Sequence, residues 1–469
     1  MRSKPPFHTF MAAALILAVS GCAVGPAYQR PTTLEVSAFK EAEGWVAAAP
    51  ADALERGPWW QLFGDPVLDQ LAERVDVSNQ NVAAAVAAYA QARAVVRVSR
   101  ASLFPTVTLN GGANRSHSSS SSNSGGRTGS SFDVSIGASW EPDVWGRLGR
   151  AADSASASAQ ASEADLASAR LSAQGELAVN YLTLRQLDAQ KALLESTLAG
   201  YRRTLEITQN RYSAGIAAKT DVLQAQTQLA NAQADDAGLV RQRAQLEHAM
   251  AVLVGQAPGN FSLPATAWSP SVPQVPVGLP STLLQRRPDI ASAERAVAAA
   301  NEQIGIARSA YFPSVPLGAS YGLGASRVAD LFSASSSVWS LGLSAAQTLF
   351  NAGATTARVE GSEAAHAQAV ARYRQTVLAA FQGVEDQLAA TRVLLAQQDA
   401  RRQASEAADQ VEQQLLNRYR SGQVGYTEVI TAQATALSAR RALVQALADR
   451  QTTAVALIQS LGGGWQAGR

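Results

Sequence analysis

The sequence predicts a mainly α-helical chain with a small β part, assembled by internal duplication. Three observations predict it. NRYSAG at residues 210–215 returns as NRYRSG at 417–422, an offset of 207. A stretch from about 147 to 212 has no proline and only isolated glycines, so nothing in it stops a helix. Each copy also carries two short segments in which apolar and polar residues alternate, the period of a strand.

The duplication extends well beyond the turns. Phe104-Pro105 matches Phe312-Pro313, Gly146 matches Gly353, and NVAAAVAAYAQAR at 81–93 corresponds to DIASAERAVAAAN at 289–301. A constant offset over such lengths marks two copies of one structural unit. We place the first at 66–260 and the second at 281–469, with the Pro-rich 261–280 as linker.

The chain opens on a targeting signal. Arg2 and Lys4 precede an apolar run too short to span a bilayer, and the run ends in Val19-Ser20-Gly21-Cys22. Small residues before a cysteine form a lipobox, so residues 1–21 are read as a signal peptide. Cys22, the only cysteine, is the lipidation site. Ala23, in place of an aspartate, points to the outer membrane. Residues 22–65 are then a lipidated, extended N-terminal segment. Losing Arg2 and Lys4 leaves 37 basic against 37 acidic side chains, which excludes a strongly basic nucleic-acid binder. One cysteine excludes a disulfide within the chain.

Each copy begins with a helix, 66–103 in the first, stopped by Phe104-Pro105. TVTLNGGA (106–113) and FDVSIGASW (132–140) follow as strands, the second placing Phe132, Val134, Ile136, Ala138 and Trp140 on one face. The Ser-rich stretch between them is expected to be a flexible loop. The matching strands of the second copy are 314–322 and 338–350. The helix from 147 to 212 would reach nearly 100 Å at 1.5 Å per residue. Gly215 is a natural left-handed stop and Thr220-Asp221 a natural restart, which makes NRYSAG the turn of a long helical hairpin leading to a helix at 219–254. Small apolar residues throughout favour close helix–helix packing. Four strands cannot close a membrane barrel, because the smallest have about eight, and open edges cannot sit in lipid.

No reaction chemistry is legible. His8, His117, His248 and His366 are isolated from one another and from metal-ligand spacing. Met11 and Met250 make no thioether cluster. GGANRS and LGGGW lack the strand-turn-helix setting of a phosphate loop, and the serines have no workable triad partners. The chain is read as a non-enzyme that needs neither cofactor nor metal.

CAVGPAYQRP after the signal, GPWWQLFGDPVLDQL at 57–71 and LPSTLLQRRPDIASAE at 279–294 resemble the outer-membrane efflux factors, the TolC and OprM family, within its NodT-type lipoprotein branch. The resemblance covers essentially the whole mature chain. It implies a mainly α fold with a small membrane β part: a homotrimer sharing a 12-stranded β-barrel, above a long α-helical periplasmic barrel. It implies an outer-membrane channel conducting small molecules in a tripartite efflux system. The implied partners are a periplasmic adaptor and an inner-membrane pump of RND or similar type. By the same resemblance Arg211, Tyr212, Gly215 and Ile216 of the first tip, with Arg418, Tyr419 and Gly422 of the second, dock the adaptor. Thr220, Asp221, Tyr419, Glu428 and Thr431 fall at the periplasmic gate, with Glu428 as its acidic ring. Asp221 and Glu428 also suit the ordinary role of first-turn acids on a helix N-terminus. The reading weighed against this one is a lipid-anchored, coiled-coil structural protein of the envelope. Such a spacer has no use for paired strands at matched places in both copies.

Overall fold

A computed structural model describes residues 24–32, 39–41, 58–118, 127–273, 275 and 287–463. Cys22 and the signal segment lie outside the described residues. In chain order the elements are α1 (Pro66–Ser78), α2 (Gln80–Ala101), β1 (Thr106–Ser118), β2 (Arg127–Trp140), α3 (Arg147–Ser213), α4 (Lys219–Leu253), α5 (Pro288–Ser309), β3 (Leu317–Ala325), β4 (Ser337–Leu343), α6 (Ala354–Arg420) and α7 (Tyr426–Ser460). The long helices α3 and α6 are both 67 residues, and α4 and α7 are both 35, so the two copies match in length as well as order.

The chain divides into two compact units. The first holds 24–32, 88–162 and 292–373, and contains the sheet. Its four strands run in the order β1-β2-β3-β4, every neighbouring pair antiparallel. Fixed corners join β1, β2 and β3 to their helices. Trp140 donates from Nε1 to the Leu103 carbonyl at 2.9 Å, and Trp145 from Nε1 to the Pro313 carbonyl at 2.7 Å. Trp145 also stacks on Phe312 with ring centroids 4.7 Å apart. Asp143 starts α3 by accepting from the Leu148 and Gly149 amides at 2.9 and 2.6 Å, satisfying donors that the helix itself leaves open. Gly146 and Gly353 both turn at left-handed φ, +74° and +86°, which explains their match at the repeat offset.

In the same unit residues 24–32 form a strap against α3 and α5. The Pro26 carbonyl accepts from Arg150 at 3.3 Å and Asn301 at 3.2 Å, and Arg150 pairs with Glu302 at 2.6 Å. Tyr28 donates to Glu294. Gly25 sits at φ +124°, and a Cβ there would lie 2.6 Å from the Gly305 Cα. Only glycine lets the strap come this close.

The second unit comprises 33–87, 163–291 and 374–469 and holds the two helical hairpins. Leu187, Leu194, Leu198 and Tyr201 of α3 pack on Ala232 and Leu239 of α4. The 7, 4, 3 spacing of the four α3 residues is that of a coiled-coil seam. Trp59, Trp60 and Phe63 of the GPWWQLF motif are buried, and Asp65 caps α1 while its second oxygen accepts from Tyr181 at 2.6 Å. Asp188, almost fully buried, pairs with Arg185 at 2.9 Å and Arg243 at 2.7 Å. The two guanidinium groups then hold the Pro264 and Leu263 carbonyls, which fastens the start of the inter-repeat linker. Arg287 of the RRPD motif pairs with Asp289 and donates to the Ser460 carbonyl at the end of α7.

Three expectations are corrected. The single helix at 66–103 is two helices, because Asn79 breaks it: the Asn79 backbone is extended, its Oδ1 caps α2 through the Asn81 and Val82 amides, and its Nδ2 donates to the Leu253 carbonyl. β1 and β2 run into the Ser-rich stretch expected to be loop, with pairing out to Ser118 and Arg127, since a ladder needs backbone bonds and no packed core. In the second copy the strands are shorter and shifted, at 317–325 and 337–343. Pro316 has no amide to continue the ladder, and only an isolated bridge joins Ser314 to Ala346.

Candidate functional sites: the sheet faces and the hairpin tips

The register of the sheet sorts its side chains by type. Val107 and Leu109 of β1 lie opposite Ala138 and Ile136 of β2. These continue across to Ala319 and Tyr321 of β3, then Leu341 and Trp339 of β4. At this level the face is apolar and open: Leu109, Leu341 and Trp339 are 76%, 76% and 74% exposed. Water does not leave such a patch alone, and it marks a lipid or protein contact. From Val107 to Ala113 the face stays apolar for about 20 Å at 3.3 Å per residue, most of the ~25 Å apolar band of an outer-membrane barrel. Beyond it the same face turns polar, with Arg115 and with His117 bonded to Thr128 at 2.8 Å. The opposite face carries Thr106, Thr108, Asn110, Asp133, Ser135, Ser139, Ser320 and Ser340 between glycines. β1 and β4 are edges with no partner among the described residues.

The two tips have the same backbone. At the first, the Gly215 amide reaches the Tyr212 carbonyl at 2.9 Å and the Ile216 amide the Arg211 carbonyl at 2.8 Å. At the second, Gly422 reaches Tyr419 at 2.9 Å and Gln423 reaches Arg418 at 2.9 Å. Gly215 and Gly422 have φ of +77° and +75°. This paired bonding with a left-handed glycine is the Schellman helix stop, and it uses up the last carbonyls of α3 and α6.

The side chains at the two tips differ. Tyr212 is 45% exposed and Ile216 67%. Tyr419, at the equivalent position to Tyr212, is 2% exposed. Expected at the docking surface, its ring is instead enclosed within the chain by Tyr426, 5.4 Å away between centroids, and by the Arg211 guanidinium, 4.7 Å from its centroid. Arg211 also donates to the Tyr419 carbonyl at 2.9 Å. The Tyr419 hydroxyl is 3.2 Å from Thr208 Oγ1, and no bond joins it to Asp221 among the described residues. Burial raises the Tyr426 hydroxyl pKa, with Tyr419, Tyr201 and Asp221 adding to the shift. Ala225 and Val429 complete this cluster. Thr208 and Tyr426 were not singled out from sequence. The visible signal was that Tyr426 replaces Lys219 at the equivalent position.

Glu428 and Thr431 are exposed on one face of α7, one turn apart, with Thr435 another turn on. They border a groove whose floor is Ala404, Ala408, Val411 and Leu415 of α6. The threonine hydroxyls donate back to their own helix, at 2.9 Å from Thr431 to Thr427, so they add little polarity to the groove. Glu428 forms no ion pair among the described residues. Asp221 stands at the equivalent position of the first hairpin, half-buried, with Thr220 exposed beside it.

Residues 71–256 and 279–463 each match the sequence profile described as "Outer membrane efflux protein". The chain belongs to the outer membrane efflux protein family. One matched segment falls in each half of the chain, so the family's unit is itself the duplicated one. The chain is 32% identical over 453 residues to the probable efflux pump outer membrane protein TtgC of Pseudomonas putida, covering 95% of this chain and 93% of that one. It is 33% identical over 434 residues to the pyoverdine export outer membrane protein OpmQ of Pseudomonas aeruginosa, covering 91% of each. Among solved structures, the outer-membrane channel OprN superposes with a TM-score of 0.86 at 30% identity, over 95% of this chain and 100% of that one. As a member of the outer membrane efflux protein family, the chain is an efflux channel of the outer membrane.

Proposed function

We propose that three copies of the chain form one conduit in a tripartite efflux assembly. Their twelve strands close a barrel in the outer membrane, and Cys22 carries the lipid that anchors each copy there. The helical hairpins extend into the periplasm, where their tips meet an adaptor protein. An inner-membrane pump of RND or similar type supplies the drive, and the chain itself conducts without catalysing a reaction. The 1–21, 22–65, 66–260, 261–280 and 281–469 divisions are the signal, lipidated segment, first repeat, linker and second repeat of this conduit.

One observation carries the reading: a four-stranded sheet with one uncovered apolar face and two unpaired edges. Each unpaired backbone group in hydrocarbon costs several kcal/mol, so such a sheet enters a bilayer only when other copies complete it. Among the tip residues, exposed Ile216 suits adaptor docking, with Gly215 and Gly422 setting the turn. Thr220, Asp221, Glu428 and Thr431 form the periplasmic gate together with the Tyr419 cluster, and three Glu428 carboxylates favour cations at its narrowest point.

The test is the mass of the purified mature protein in detergent, followed by conductance in planar bilayers with Glu428→Gln alongside. A trimer that conducts, prefers cations, and loses that preference in the variant supports the conduit and its acidic ring. A conducting trimer indifferent to the variant moves the gate elsewhere. A monomer that stays silent overturns the reading.

A further inference from the structure

We propose that Arg418 lies over the ring of Tyr212 of the partner subunit, repeating between chains the contact that Arg211 makes with Tyr419 inside one chain. The proposal rests on the trimeric reading above and adds to it the residues that join neighbouring tips.

Moving forward by the repeat offset of 207 carries Arg211 to Arg418, and moving back carries Tyr419 to Tyr212. The two turns share one backbone, so both pairs project from the same scaffold. Inside the chain the first tip's arginine reaches the second tip's tyrosine, with its guanidinium 4.7 Å from the ring centroid and a 2.9 Å bond to the carbonyl. The reverse pair is unused: Arg418 is exposed, Tyr212 is 45% exposed, and neither side chain has a partner among the described residues. In a ring of three chains the six tips alternate, and each tip faces one neighbour in its own chain and one in the next. With the same rotational sense kept throughout, the second tip's arginine meets the next chain's first-tip tyrosine. A cation over an aromatic face is a contact both groups favour, and both are already held at the right turn.

The two kinds of joint are not equal. Where Tyr419 rests on Tyr426, the first hairpin offers Lys219, and where Thr208 meets the Tyr419 hydroxyl, the second hairpin offers Leu415. The joint between chains therefore lacks the second aromatic ring and the hydroxyl partner, and brings a lysine close to Arg418. Three joints are tight and three are loose.

The experiment places the photoreactive p-benzoylphenylalanine at Tyr212, which keeps an aromatic ring there. Two isotopically distinct batches of the full chain are mixed, assembled together and irradiated, and linked peptides are identified by mass. The expected product joins residue 212 of one batch to residues 414–422 of the other, in a protein that measures as a trimer. A trimer in which residue 212 links elsewhere, or links to nothing, overturns the proposed joint and leaves the conduit standing. A monomer overturns the trimeric reading and the joint with it.

Discussion

Leu109 and Asn110 are adjacent in β1 and point to opposite faces, so one arginine at each tests which face meets lipid. Leu109 lies near the middle of the apolar stretch between Val107 and Ala113, opposite Ile136, and 76% of it is exposed within the chain. A guanidinium on the lipid face near the bilayer midplane costs about 2–4 kcal/mol. At about 1.4 kcal/mol per tenfold, that is a shift of roughly thirty-fold to several-hundred-fold in the insertion equilibrium of each chain. Its cross-strand neighbours Val134, Ile136 and Ala138 offer the arginine no carboxylate. Asn110 sits among Thr108, Ser135 and the glycines of the other face, where an arginine stays hydrated and its charge acts on permeating ions. Leu109→Arg should therefore fall sharply in the outer-membrane fraction and in refolding into lipid vesicles followed by denaturant titration. Asn110→Arg should insert normally and move conductance toward anions. Normal insertion of Leu109→Arg with failure of Asn110→Arg would mean that the polar face meets lipid and the apolar face does not.

Three further outcomes follow from the packing. Asp188→Ala leaves Arg185 and Arg243 buried without their shared carboxylate and should cost about 3–5 kcal/mol in chemical denaturation, whereas a loss under about 1 kcal/mol would mean that the arginines find other partners. Tyr28 holds its proton more tightly when folded, chiefly through burial and then through Glu294, so the contact contributes fully below the ordinary tyrosine pKa of about 10 and is lost as pH rises through the higher folded value. The melting difference between the wild type and Tyr28→Phe should accordingly stay level through neutral pH and shrink above about 10, and a level difference up to strong alkali would count against this contact. Gly25→Ala should free the strap, because its Cβ meets Gly305 and its φ is left-handed. Limited proteolysis at 24–32 reads this directly, and unchanged resistance would show that the strap can shift to make room.

The parts of the fold written in local chemistry could be read from sequence. Gly215, Gly422, Gly146 and Gly353 each stand at a left-handed turn that few other residues adopt, so their positions fixed the ends of the long helices to within a residue or two. Asn79 was the limit of that method. It sits in a helical pattern, and its capping of the Asn81 and Val82 amides together with its long-range bond to Leu253 shows why the helix stops there. At the tips the two turns could be found by their shared words, but the fate of their tyrosines could not. Tyr212 and Tyr419 are the same residue in the same motif, and what separates them is Tyr426, seven residues past the motif tyrosine and on another helix, with Arg211 from the other repeat. The strap residues Gly25, Pro26 and Tyr28 lay in a motif that was recognised without its geometry being legible, since its partners are more than a hundred residues away.

The polar face of the sheet is made of hydroxyls, amides and glycines, with Val338 the one aliphatic and Asp133 the one carboxylate among its described side chains. Lining the proposed conduit, such a wall would offer a passing molecule neither a deep well nor a high barrier. Short hydroxyl side chains exchange hydrogen bonds with water as readily as with cargo, and glycine presents only backbone already paired in the ladder. Dwell time along it is then governed by the viscosity of confined water more than by affinity. Molecules of very different chemistry would pass at comparable speed, and a poison designed to lodge there would find little to grip.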